Sequence, residues 1–159
     1  MRWILKDCKK ISLKEARNLV LIDTCFLIDM IKSNKLHDML KIPNIAMTSF
    51  NIEELIYIQH KLPHHIRKGL KHFLKDYRLL VLKLPVSPGN YIREQDFVNE
   101  IEPQLLQIMQ DNSDAVLIAA ALKTHSHVLT KDRHHIFTAS LENFVNDYDI
   151  RIIKNLHEF

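Results

Sequence analysis

The chain has 159 residues, of which 47% are hydrophobic and 26% are charged, and its formal net charge is +3. This length and composition suit one globular domain and exclude a disordered chain. Two cysteines, Cys8 and Cys25, are too few for a disulfide framework or a cysteine-based zinc site. The longest apolar run, residues 115–122, is shorter than the ~18 residues that cross a bilayer. With no apolar signal segment at the N-terminus, we expect a reduced, cytoplasmic location and no membrane partner.

In chain order, short apolar or β-branched runs alternate with stretches of helical spacing. Residues 1–18 form a predicted N-terminal extension with a candidate helix at 12–18. The predicted elements that follow are strand 19–23, helix 26–33, strand 45–48, helix 51–59, helix 64–75, strand 79–84, one or two helices in 92–110 broken near Pro103, helix 114–123, strand 127–130 and strand 150–153. This alternation predicts an α/β fold, a three-layer α/β/α sandwich around a parallel sheet of about five strands.

Charge is unevenly distributed along the chain. Residues 60–78 carry six lysines and arginines against one acid, whereas residues 94–114 carry six acids and no lysine or arginine. The basic stretch could hold a polyanion, and its candidate binding residues are Arg67, Lys68 and Lys71. The alternative is that both stretches are solvated helix faces of opposite sign.

Four acids fall at or near the carboxyl ends of predicted strands, where open α/β sheets bind their ligands. They are Asp23, Glu54, Asp114 and Asp132. Taken singly, each acid could be a helix cap, a turn residue or a solvated helix acid. Taken together at one rim, four carboxylates repel each other unless a cation neutralises them. Oxygen ligands without Cys or His favour Mg²⁺ or Mn²⁺, and such ions promote phosphodiester hydrolysis.

Four segments resemble, in order, the motifs of the PIN-domain family. They are residues 21–24 (Leu-Ile-Asp-Thr), 48–55 (Thr-Ser-Phe-Asn-Ile-Glu-Glu-Leu), 114–121 (Asp-Ala-Val-Leu-Ile-Ala-Ala-Ala) and 128–132 (Val-Leu-Thr-Lys-Asp). In the second segment Glu54, and not Glu53, matches the family's metal-site acid. The resemblance covers residues 19–153 and assigns residues 19–159 to a PIN-like nuclease domain.

The resemblance implies a Mg²⁺- or Mn²⁺-dependent endoribonuclease, often the toxin of a toxin–antitoxin pair and usually a homodimer. Its catalytic and metal-binding residues would be Asp23, Glu54, Asp114 and Asp132, with Thr24, Thr130 and Asp111 in support. The sequence departs from the family at Cys25, where many members carry Asn, and in its N-terminal extension. The alternative is a PIN-like module that binds RNA or a protein partner without cleaving RNA.

Overall fold

A parallel sheet forms the centre of the structure. The computed structural model describes residues 7–77, 79–131 and 138–159. The strands within them are β1 (Lys10–Ser12), β2 (Val20–Ile22), β3 (Ile45–Thr48), β4 (Leu80–Lys83), β5 (His127–Leu129) and β6 (Ile152–Ile153). Their order in the sheet is β1-β4-β3-β2-β5-β6, and every neighbouring pair is parallel.

Helices cover both faces of this sheet. They are α1 (Thr24–Lys32), α2 (Leu36–Met39), α3 (Ser49–Ile58), α4 (His64–Asp76), α5 (Tyr91–Ile101), α6 (Leu105–Ile108), α7 (Asn112–Thr124) and α8 (Ala139–Asn146), with short 3-10 turns at Gln59–Lys61 and Leu156–Glu158. Helices α1 to α4 contribute to one hydrophobic cluster, and α5 to α8 contribute to the other. The predicted three-layer α/β/α sandwich is therefore confirmed.

Strand β2 shows how the apolar sequence is divided between the two layers. Its three residues are all buried, and successive side chains point to opposite faces. Leu21 packs with α5 to α8, whereas Val20 and Ile22 pack with α1 to α4. A strand covered on both sides must be apolar at every position, which explains the unbroken run that precedes Asp23.

The N-terminal segment differs from its prediction. Residues 10–12 form β1, which pairs with β4 and makes the sheet six-stranded where about five strands were expected. The candidate helix at 12–18 is wrong, because the chain makes a turn in which Glu15 and Ala16 donate to the carbonyl of Ser12. Ladder hydrogen bonds along the edge of β4, such as Val81 N–H to the carbonyl of Lys9, stabilise the extended conformation instead. None of the helices in the described ranges is long and apolar enough to span a membrane.

The order of the strands defines one crevice. From β2 the chain builds outward through β3 and β4, and it then crosses over to place β5 on the other side of β2. The carboxyl ends of β2 and β5 therefore flank a topological switch point, where α/β sheets bind ligands. Asp23 follows β2 and Thr130 follows β5, so both lie at this crevice.

Candidate functional site

Asp23 is held at the crevice by donors from both sides. It caps α1, and its Oδ1 accepts the backbone N–H of Thr24 at 2.7 Å. Its Oδ2 accepts the hydroxyl of Thr130 at 2.8 Å, and the Sγ of Cys25 lies 3.0 Å from the same oxygen. Only 8% of the surface of Asp23 is exposed. Asp23 is therefore a helix cap, as one interpretation of the sequence held. An exposed carboxylate would be enough to cap the helix, so capping alone does not explain why Asp23 is nearly buried.

Glu54 is positioned from the next strand by a chain of hydrogen bonds. Thr48 ends β3 and caps α3 by accepting the N–H of Asn51 at 3.0 Å. The Thr48 hydroxyl donates to Asn51 Oδ1 at 2.6 Å, and Asn51 Nδ2 donates to Glu54 Oε2 at 3.1 Å. A further contact of 3.4 Å joins the Thr24 hydroxyl to the Asn51 carbonyl. This contact connects the first turns of α1 and α3, the two helices that follow Asp23 and carry Glu54.

The pKa of Glu54 reflects both its burial and the negative charges near it at this rim. Burial raises the pKa of Glu54 most, and the negative charge of Asp23 raises it further. The hydrogen bond from Asn51 lowers it, whereas Asp111 and Glu94 add smaller upward contributions, and the resulting pKa is about 7. Glu54 therefore lies within electrostatic reach of three other carboxylates. A cation at the rim would relieve this repulsion and return Glu54 to its ionised form.

Glu94 is a member of this group that belongs to the acidic stretch 94–114 and was not among the predicted site residues. It lies in the first turn of α5, is only 5% exposed, and its Oε1 accepts the N–H of Gly89 at 3.3 Å. The sequence contains the signal, because Glu94 shares helical spacing with Phe97, Val98 and Ile101 on the buried stripe of α5. An acid on an apolar stripe is unusual and indicates a site rather than a solvated face.

Asp111 and Asp114 are placed by the start of α7. Asp111 caps the helix, and its Oδ1 accepts the N–H groups of Ser113 and Asp114 at 2.8 and 3.2 Å. Asp114 lies in the first turn and is partly buried. Asp132, the fourth predicted acid, lies outside the described residues. Within the described ranges, no group of three or more His, Cys, Asp or Glu side chains is close enough together to bind a metal ion as it stands. The donor chemistry suits a hard divalent cation, and the four-acid site stays a prediction.

Cys25 lies at the same rim but does not have the properties of a nucleophile. Burial raises the pKa of its thiol most, the charge of Asp23 raises it further, and the value is about 12. The thiol therefore stays protonated at neutral pH. A reactive cysteine would need a lowered pKa, so Cys25 can act here only as a neutral group.

The predicted basic residues lie on α4. Arg67, Lys68 and Lys71 are all exposed, because Ile66, Leu70, Phe73 and Leu74 turn the opposite face of the helix into the core. Contact between α4 and α1 occurs where Gly69 meets Ile31 in the last turns of α1. Since α1 starts at the rim and rises 1.5 Å per residue, Ile31 is about 10 Å along the helix from Thr24. The contact of α4 with α1 thus lies about 10 Å along α1 from the residue that follows Asp23.

Comparison with known proteins agrees with this geometry. The sequence model of the PIN domain matches residues 20–145, so the chain belongs to the PIN-domain family, whose members are typically nucleases. None of the curated proteins matches the chain. Among solved structures, the chain is similar to a chain of the DNA-bound VapBC complex of Salmonella typhimurium, with 20% identity, a TM-score of 0.55, and coverage of 86% of this chain and 97% of the other.

Two further solved structures show the same fold. One is VapBC2 of Rickettsia felis bound to a DNA fragment from its promoter, with 19% identity, a TM-score of 0.52, and coverage of 72% of this chain and 87% of the other. The second is a toxin–antitoxin complex from Klebsiella pneumoniae, with 15% identity, a TM-score of 0.51, and coverage of 76% and 92%. At these identities the likeness supports the fold, and the function must be argued from the site.

Proposed function

We propose that this protein is a divalent-metal-dependent endoribonuclease that hydrolyses RNA phosphodiester bonds. The observation that carries the proposal is the pairing of Asp23 and Glu54 at the carboxyl edge of the sheet, where burial and then the charge of Asp23 raise the pKa of Glu54. Carboxylates whose pKa is raised by burial and by a neighbouring like charge are concentrated at functional sites. Membership of the PIN-domain family supports the same conclusion.

In this proposal Asp23, Glu54, Asp114 and Asp132 hold one or two Mg²⁺ or Mn²⁺ ions. Bound ions of this kind polarise the phosphoryl oxygen and lower the pKa of water. The chain itself supplies orientation: Thr130 and the Thr24 N–H fix the Asp23 carboxylate, and Asn51 fixes Glu54. Preorganised oxygen ligands reduce the cost of assembling the site around a cation.

Arg67, Lys68 and Lys71 would hold the RNA backbone beside the site. Because their helix packs on α1 at Ile31 and away from Thr24, we expect them to contact phosphates that flank the scissile one. Contacts of this kind add affinity without sequence preference. Replacing Lys68 and Lys71 together by Ala should reduce the slope of log K against log salt by about 1.4 for single-stranded RNA. The control is the exposed pair Lys35 and Lys41, whose replacement should leave the slope unchanged.

We also propose an antitoxin partner and a homodimer. Support comes from the similar structures, of which one is described as a toxin–antitoxin complex and two as VapBC complexes bound to DNA. Expression of the chain alone should arrest growth, and expression of the Asp23→Asn variant should not. Equal growth under both conditions would contradict the toxin role while leaving the nuclease proposal to the assay below.

The nuclease proposal is tested by incubating purified protein with labelled single-stranded and structured RNAs in Mn²⁺, Mg²⁺ or EDTA. We expect metal-dependent cleavage by the wild type that Asp23→Asn abolishes while RNA binding persists. The matched control is Asp38→Asn, which changes an exposed aspartate in α2 that pairs with Lys41 and should cleave normally. Equal cleavage by Asp23→Asn would overturn the proposal. Binding of RNA without cleavage by the wild type would favour a non-catalytic RNA-binding module.

A further inference from the structure

Cys25 makes a specific contact with the acid at the centre of the rim. Its Sγ lies 3.0 Å from Asp23 Oδ2 and 3.5 Å from the hydroxyl oxygen of Thr130. Thr130 itself donates to the same carboxylate oxygen at 2.8 Å. The two side chains reach Asp23 from different elements, since Cys25 belongs to α1 and Thr130 follows β5.

Hydrogen-bond chemistry determines the direction of this contact. An ionised carboxylate only accepts, so the thiol must donate its single proton to Oδ2. One carboxylate oxygen has two lone pairs and can accept both the thiol and the Thr130 hydroxyl. With the Thr24 N–H on Oδ1, donors on the described residues restrain both oxygens of Asp23. Rotation of the carboxylate away from the rim would break all of these bonds.

We propose that Cys25 is a positioning residue that orients Asp23 through a thiol–carboxylate hydrogen bond and thereby strengthens cation binding. The inference rests on the proposed function for the presence of a cation. Helix packing alone would not require a donor at this position.

The proposal predicts a graded response to substitution at one position. Cys25→Ala removes the donor and should weaken Mn²⁺ binding about 5- to 10-fold, the effect expected for one lost bond to a ligand residue. Cys25→Ser keeps a donor of nearly the same reach and should stay within about twofold of the wild type. Alanine and serine are both smaller than cysteine, so loss of packing would affect the two variants in the same direction.

Two measurements on RNA-free protein test this, both in a Cys8→Ser background so that Cys25 is the remaining thiol. Electron paramagnetic resonance gives the Mn²⁺ affinity of the background protein and of its Ala, Ser and Asn variants at position 25. Raman spectroscopy of the S–H stretch reports the hydrogen bond directly. We expect a band lowered by a strong acceptor, and we expect Asp23→Asn to raise it because an amide is a weaker acceptor than a carboxylate.

Each outcome decides the inference. Equal Mn²⁺ affinities for Cys25→Ala and the background protein, or equal losses for Ala and Ser, would overturn the positioning role. An S–H band that does not respond to Asp23→Asn would also overturn it. Failure of the background protein to bind Mn²⁺ would remove the metal centre and this inference together. Binding of Mn²⁺ without RNA cleavage would contradict the nuclease proposal alone, because the affinity comparison does not depend on turnover.

Discussion

Replacement of Glu54 by Gln should stabilise the metal-free protein at alkaline pH. The side chain is largely buried near three other carboxylates, and its pKa is about 7 against an ordinary value of 4.5. Gln keeps the shape and can still accept the hydrogen bond that Asn51 Nδ2 donates at 3.1 Å. The substitution therefore removes the charge and little else.

The magnitude follows from linkage between protonation and folding. The pKa of Glu54 is higher in the folded state than in the unfolded state. Glu54 therefore does not lower the free energy of unfolding below pH 4.5, and it lowers that free energy as the pH rises through about 7. A pKa that is higher by one corresponds to about 1.4 kcal/mol, so the rise from 4.5 to about 7 corresponds to a loss of about 3 kcal/mol in the free energy of unfolding. Because Glu54 is partly exposed, solvent screening reduces this figure, and we expect Glu54→Gln to gain about 2 kcal/mol at pH 8.

The assay is urea unfolding in EDTA at several values between pH 4 and pH 9. The gain for Glu54→Gln should be absent near pH 4 and grow through pH 7. Glu53→Gln is the matched control, since Glu53 is the adjacent acid on α3 and accepts only a 3.3 Å contact from the hydroxyl of Ser87 among the described hydrogen bonds. A gain that is the same at all pH values, or an equal gain in the control, would refute the electrostatic reasoning.

Three further predictions concern the scaffold around the site. A Cβ at Gly69 would lie 2.7 Å from Ile31 Cγ2, so Gly69→Ala should lower the free energy of unfolding by about 1 kcal/mol. In an Ile31→Ala background the same substitution should raise it by about 1 kcal/mol, because alanine favours the helix more than glycine does, and urea unfolding of all four proteins measures both effects. Thr48→Val removes a fully buried cap that accepts the N–H of Asn51, and calorimetry should show a loss of about 1 to 2 kcal/mol; an unchanged Tm would refute this role. His125 ends α7 with φ +49°, so His125→Gly should raise the free energy of unfolding by about 1 kcal/mol, and a decrease would contradict the argument from backbone strain.

Much of the fold was predictable because most strands and helices bury continuous apolar patterns. The strand Ile45–Thr48 and the start of helix α4 at His64 were predicted at their observed positions. Strand β1 was missed because its three residues, Lys-Ile-Ser, form an edge strand with a mostly exposed pattern, and only pairing with β4 makes them extended. Helix α2 has four residues, too few for a helical period to be recognised.

An acid that directly follows a buried strand is the part of the site that the sequence predicts most directly. Asp23 meets that condition, and its position at the crevice follows from the strand order. Glu94 lies in the first turn of α5 and on its buried stripe, but its proximity to Glu54 depends on how α5 packs across the sheet from α3. Asn51 was overlooked for a different reason, since its side chain joins a cap to a functional acid and neither role has a distinctive spacing.

Folding and cation binding should therefore be coupled in this protein. A ligand that binds only the folded state at a concentration 100 times its Kd stabilises by about 2.7 kcal/mol, which is similar to the cost estimated for the Glu54 charge. We expect saturating Mn²⁺ to raise the Tm of the wild type at pH 8, to raise that of Glu54→Gln much less, and to raise that of the wild type much less at pH 4, where Glu54 is protonated. Measurement by scanning calorimetry with Ca²⁺ as a comparison cation separates site binding from general charge screening. An equal rise in both proteins would mean that the cation binds elsewhere, and the repulsion at the rim would then need another explanation.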